Sequence, residues 1–217
     1  MQRIKASARI QRALGFRSDL ATPIVEELQD AQRKFEQGII LPSGGTYFPW
    51  FLTTEISSIY TTINEERVAI PDDFIQEVEE DALWYYNSVN DPAWILLNKD
   101  DLDFLRNSDL GTGAPQSYAL DASYFRIFPT PDAAYQMKMM YIGKDATLDD
   151  DTTENKWLKN APELLMGEAG MVIAAAARDK DAIAIFQQMR TEAVNRLFIQ
   201  TEARKHENRT YAMGGPD

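Results

Sequence analysis

Asp100, Asp101 and Asp103 are a dense carboxylate group that a divalent cation could use. A calcium loop, however, spaces oxygen ligands at five positions around a central glycine, and Asp100-Asp101-Leu102-Asp103-Phe104 offers neither the spacing nor the glycine. The run reads instead as the N-cap of a short helix with solvated acids. Asp149-Asp150-Asp151 has no flanking histidine and no further carboxylate at helical spacing, and reads as an acidic linker. His206 is the only histidine and cysteine is absent. Cys-His catalysis and multi-histidine zinc sites are thereby excluded, and a Ser-His-Asp triad would have to use a histidine set among Arg204, Lys205 and Glu207. Gly111-Thr112-Gly113 lacks the spacing of a phosphate-cradling loop. Trp50, Trp84, Trp94 and Trp157 could stack against bases or sugars, but packing in a core or an interface is the commoner use of such rings. No catalytic residue, cofactor site or metal ligand is assigned, and the chain is read as a non-enzyme.

The elements around these residues belong to a globular chain of 217 residues, 44% hydrophobic and 11% aromatic. No window approaches the roughly 18 continuous apolar residues of a membrane span, so no membrane role is expected. The first residues, MQRIKASARIQRALGF, are basic and amphipathic but lack the apolar core and cleavage site of a secretory signal, and read as a structural helix. A chain without cysteine fits assembly in a reducing cytoplasm. The formal charge of -12 is segregated. Residues 1–17 carry Arg3, Lys5, Arg9, Arg12 and Arg17 and no acid, whereas residues 72–110 carry eleven acids against Lys99 and Arg106. So acidic a chain is ill suited to general nucleic-acid binding, in which cations neutralise phosphates. An acidic surface past which DNA slides remains compatible with it.

The spacing predicts a first helix over about residues 2–13 ending near Gly15. A second is capped by Thr22, opens with Pro23, and presents Ile24, Leu28, Ala31 and Phe35 to a core. Gly38 ends it, and residues 41–45 form a loop. From Tyr47 to Tyr141 short strands alternate with one short helix at about Asp100–Arg106. Tyr135, Met137, Met139 and Tyr141 alternate with polar or exposed positions, as Phe125 and Ile127 do one segment earlier. Between these runs Pro129-Thr130-Pro131-Asp132 forces a hairpin or a corner. Helix returns at Ala161-Pro162-Glu163, where Gly167, Ala169 and Gly170 flatten one face for close backbone packing. A last helix over about Asp181–Arg204 carries Ile183, Phe186, Met189, Ala193 and Leu197. The expected fold is α+β: a helical bundle of residues 1–40 and 157–206, an inserted β-rich domain of residues 41–156, and an extended C-terminal tail, 207–217.

One succession of short motifs has a likeness. It runs Pro71-Asp72-Asp73-Phe74, Trp94-Ile95, Gly113 with Pro115, Tyr118-Ala119-Leu120, and Arg126-Ile127-Phe128-Pro129-Thr130-Pro131. It continues through Tyr135–Tyr141 and Trp157-Leu158 to Ala161-Pro162-Glu163-Leu164-Leu165. In this order it resembles the head-to-tail adaptor, or connector, proteins of tailed phages, chiefly short-tailed ones. The resemblance implies a structural virion protein at the neck, assembled in the host cytoplasm. It would form a ring, typically of twelve copies, that docks on the portal protein, receives the tail nozzle or tube, and lets DNA pass without specific binding. Family tails commonly reach into the portal. Here that tail would use Tyr211, Ala212, Met213, Gly214, Gly215 and Pro216. The charge segregation, in turn, suggests Arg3, Arg9 and Arg12 as a basic face toward the neighbouring subunit. The alternative readings are a protein-interaction module outside a virion and a hydrolase using an aspartate cluster.

Overall fold

The computed structural model describes residues 1–41, 44–78, 82–87, 92–107 and 111–212, with the backbone alone described at Ser18, Arg106, Asn107 and 205–212. In chain order its first elements are α1 (Arg3–Ala13), α2 (Ala21–Glu36), β1 (Ile39–Ile40), β2 (Thr46–Tyr47), β3 (Thr53–Tyr60), β4 (Arg67–Ala69) and β5 (Phe74–Glu77). Next come β6 (Leu83–Asn87), β7 (Ala93–Leu96), β8 (Asn98–Lys99), α3 (Leu102–Asn107), β9 (Thr112–Gly113), β10 (Ser117–Asp121), β11 (Tyr124–Phe128), β12 (Thr130–Pro131) and β13 (Gln136–Gly143). The chain closes with α4 (Lys156–Asn160), α5 (Pro162–Ala176) and α6 (Lys180–Ala212). It is mixed α+β and divides into two compact units, residues 1–52 with 144–217 and residues 53–143.

In the first unit α5 carries the apolar load. It opens with Pro162 at its first position and Glu163 in its first turn, both suited to a helix N-terminus. Its small residues admit α6 closely: a Cβ on Gly167 would sit 2.8 Å from the Arg190 backbone nitrogen, and one on Gly170 would sit 2.4 Å from the Phe186 ring. Ile24, Leu28, Ala31 and Phe35 of α2 are all buried. Phe35 and Phe51 pack on Trp157 of α4 with ring centroids 6.0 and 5.1 Å away. Glu168, 5% exposed, is held between Lys34 of α2 and the Arg190 Nε of α6, 2.6 Å away. Residues just outside the helices also pack here, since the Tyr47 hydroxyl donates to the Val194 carbonyl and the Gln32 amide donates to the Ala146 carbonyl.

Two boundaries differ from expectation, and one pair of strands was not foreseen. Thr22 is not an N-cap: a 3-10 turn over Ser18–Leu20 feeds directly into α2, Leu20 occupies the cap without a side-chain bond, and Pro23 sits in the first turn, where its missing N–H costs nothing. The expected loop at 41–45 is flanked by the paired strands β1 and β2. Helix α6 continues to Ala212, so the backbone of Glu207–Ala212 is helical rather than extended.

The second unit holds two main sheets, ordered β4-β11-β10-β8 and β3-β13-β6-β7, with β5 also paired to β13. Phe125 and Ile127 from the first sheet meet Leu83, Met137, Met139 and Tyr141 from the second in one core. The Pro129–Asp132 segment is a corner rather than a hairpin: β11 and β13 lie in different sheets, and β12 between them pairs in parallel with β9. Asp101 caps α3 as expected, its Oδ1 accepting from the Asp103 N–H at 2.8 Å.

Two buried phenols, Tyr47 and Tyr141, and the half-buried Tyr135 set the response to alkali. Burial pushes Tyr47 up to about 12; a hydrogen bond to Asp132 (2.6 Å) and then burial push Tyr135 to about 12; burial and then a bond to Asp73 (2.8 Å) push Tyr141 to about 12. A phenol freed by unfolding ionises near about 10. The folded values are raised, so this stabilisation is full below about pH 10 and is lost as pH rises through about 12. Phenolate absorbance followed together with circular dichroism should show these tyrosines ionising with the loss of structure. Their ionisation near pH 10 in an intact fold would refute this.

Candidate functional site

No chemistry gathers at the carboxylates. Among the described residues no group of three or more His, Cys, Asp or Glu side chains is placed to hold a metal ion. Each acidic run has a structural use. Asp101 caps a helix, Asp150 accepts from the Thr152 N–H at 3.0 Å, and Asp151 pairs with Arg3 at 2.6 Å. The His206 side chain lies outside the described residues. Trp157 is fully buried, and Trp50 lies under the Arg204 guanidinium, 3.5 Å from the ring centroid. Trp84 and Trp94 share the Lys138 ammonium, 4.7 and 5.3 Å from their centroids. Also among the described residues, no helix is long and apolar enough to cross a membrane.

What the fold presents instead is surface for contact. On α1 the residues Met1, Lys5, Ala8, Arg9 and Arg12 line a shallow hollow, with Lys5, Arg9 and Arg12 exposed. Four-residue spacing from Lys5 and three-residue spacing from Arg9 put these cations on one helical face. Arg3 does not belong to it. Its side chain turns inward, leaving the residue 9% exposed, and donates to the Leu148 carbonyl at 2.8 Å and to Asp151. A buried guanidinium must find partners in its own chain, and Arg3 finds them in the acidic run that sequence reading took for a linker. No signal in the order of residues foretells a pairing across so long a separation.

The expected portal-docking residues lie at the far end. The side chains of Tyr211 and Ala212, and the whole of Met213, Gly214, Gly215 and Pro216, fall outside the described residues. Sequence reading did not foresee that strand β7 is exposed, with Trp94, Ile95 and Leu96 at 37%, 38% and 38%.

A family model described as SU10 adaptor protein matches residues 2–214. The chain belongs to the SU10 adaptor protein family. The match spans both compact units. No curated protein matches the chain. The SU10 adaptor family is one of phage head-to-tail adaptors, which agrees with the likeness read from the motif succession. Its members are structural virion proteins of the head-tail interface that contact other phage structural proteins, and for such a protein contact surfaces are the functional sites.

Proposed function

We propose that this adaptor assembles as a closed ring of about twelve copies, docks on the portal protein and receives the tail nozzle or tube, leaving a channel for the genome. The observation that carries the reading is the family match over residues 2–214. A ring requires a heterologous interface, in which one surface meets a different one on the next copy. The exposed cations of α1 and the acids of residues 72–110 supply such a pair by charge. The tail residues Tyr211–Pro216 reach the portal, and assembly takes place in the host cytoplasm. A net charge of -12 keeps DNA from adhering as it passes.

The test uses the double variant Arg9→Glu with Arg12→Glu and purified portal at low salt. Both side chains are exposed on α1, so the fold is retained while the sign of the face is reversed. Ring formation on the portal should fall at least tenfold, with wild-type behaviour least different at high salt, where exposed charges are screened. Assembly equal to wild type at low salt would remove this face from the interface.

A further inference from the structure

Helix α1 ends in a turn that holds an aromatic ring out in water. The Gly15 N–H donates to the Arg12 carbonyl at 3.3 Å and the Phe16 N–H to the Gln11 carbonyl at 2.8 Å, the paired bonds of a Schellman motif. Gly15 takes the left-handed conformation that the motif asks of it, at φ +75°. Phe16 takes it too, at φ +61°, where a bulky side chain is strained. An apolar residue at this place in the motif commonly folds back onto the last turn of the helix. Phe16 does not, and it is 73% exposed. Strain and exposure both lower the stability of the isolated chain, and a contact that buries the ring offsets both. The ring also stands beside free cations. Arg12 lies about one turn before it and Arg9 two, both exposed and without a carboxylate among the described residues. The acids near α1 are already engaged: Asp19 accepts from Arg17, while Asp151 and Glu154 meet Arg3 and the Met1 ammonium at the far end of the helix. A partner for this end of α1 therefore needs an apolar recess in an acidic surround.

The second unit carries such a recess. Strands β3 and β4 border a groove of about 710 Å³, floored by Ile56, Ile59, Val68 and Ile70 and rimmed by Tyr60 and Tyr124. Residues 53–73, which form most of it, hold Glu55, Glu65, Glu66, Asp72 and Asp73 against Arg67 alone. Arg67 stacks on Tyr124, 4.5 Å from the ring centroid. The cations of the neighbouring strands are engaged as well: Arg126 of β11 pairs with Glu66, and Lys138 of β13 lies over Trp84 and Trp94. Glu55, Glu65 and Asp72 are exposed and have no cation among the described residues. The two surfaces are thus opposite in sign throughout, since residues 1–17 contain no acid.

We propose that Phe16 of one copy inserts into the β3–β4 groove of the next, a second copy of this chain being the occupant, with Arg9 and Arg12 meeting Glu65 and Asp72 at its rim. An aromatic ring flanked by arginines is the kind of residue set that carries most of the energy of an interface. The two surfaces are different, so the contact is heterologous and repeats from copy to copy. The inference rests on the ring reading and assigns its interface.

Phe16→Gly separates docking from folding, because glycine adopts φ +61° without strain. Full-length chain carrying it should be at least as stable as wild type in chemical denaturation, yet form rings on purified portal at least about tenfold less well. Loss of stability would show that Phe16 packs within its own chain, and wild-type assembly would show that it docks nowhere; either overturns the proposal. Cross-linking then locates the receptor, and the absence of cysteine leaves no background. Chain carrying both Ala13→Cys, exposed three residues before Phe16, and Ala69→Cys, exposed in the groove lining, is treated with a short bis-maleimide linker in the presence of portal and run on a denaturing gel. A second pair, Ala13→Cys with Ser123→Cys, repeats the test at another exposed groove position. The expected result is a ladder of multimers from each double variant, dimers from mixed single variants, and no product from a single variant alone. Particles that assemble on portal yet give no ladder with either pair overturn this interface and leave the ring intact. Self-cross-linking of Ala13→Cys alone, the mark of a symmetric contact, overturns it too. If wild-type chain forms no multi-copy particle with portal, the ring reading fails and this interface with it.

Discussion

Replacing Gly167 by valine is expected to force α5 and α6 apart and to cost about 3 kcal/mol or more, beyond ordinary overpacking. The reason is what the new side chain meets. A Cβ at Gly167 falls 2.8 Å from the Arg190 backbone nitrogen and 3.0 Å from its Cα, and backbone in a helix cannot step aside as a side-chain tip can. Glu168 is next in sequence and buried, and its ion pairs with Lys34 and Arg190 depend on the same spacing of three helices. Widening that gap leaves a carboxylate in apolar surroundings without its cations. Gly45→Ala is the control, because a Cβ there meets nothing within 4 Å. Chemical denaturation should show a large loss for the first variant and little change for the second. Equal stability of the two would mean that α5 and α6 are not in contact at Gly167.

Truncating Trp157 to alanine is expected to cost about 3 to 5 kcal/mol. That is a large share of the roughly 5 to 15 kcal/mol that holds a folded domain together. The ring is fully buried and packs against Phe35 of α2 and against Phe51, in the 3-10 turn Trp50–Leu52, so its loss empties the junction of three segments. Phenylalanine at the same position should recover most of that loss. It refills much of the space and also removes a buried indole N–H that has no hydrogen-bond partner among the described residues. A phenylalanine variant as unstable as the alanine variant would show that the indole N–H, and not the ring volume, is what matters.

Local physics was legible in the sequence, and distant pairing was not. The period-2 run from Tyr135 to Tyr141 was readable because β13 has one face against a core: Met137 and Met139 are fully buried while Gln136, Lys138 and Met140 are not. The aspartate cap of α3 and the Pro162 start of α5 were readable for the same reason, since a helix terminus is specified within a few residues. Gly167 and Gly170 announced close packing without naming the partner. Arg3 was misread because its charge looked available, and only the fold shows that Leu148 and Asp151 consume it. Thr22 was misread because a preceding 3-10 turn can start a helix without a side-chain cap. Helix α4 escaped notice since five residues are too few for a periodic signal; its start is held by the Leu158 N–H donating to the Asn155 side chain at 2.9 Å and the Trp157 N–H donating to the Asp145 carboxylate at 3.1 Å. The exposure of β7 could not be read at all, because an apolar run looks the same in sequence whether a core or another molecule covers it.

The central claim is that this SU10-family adaptor works as a multi-copy ring on the portal. Purified full-length chain mixed with portal, with the particles weighed by native mass spectrometry and viewed end-on by electron microscopy, tests it most directly. The account predicts a portal particle heavier by a fixed multiple of the 24.7 kDa chain, with density arranged as one closed ring. A chain that stays monomeric beside the portal, or adds to it in variable number without closing, would contradict it.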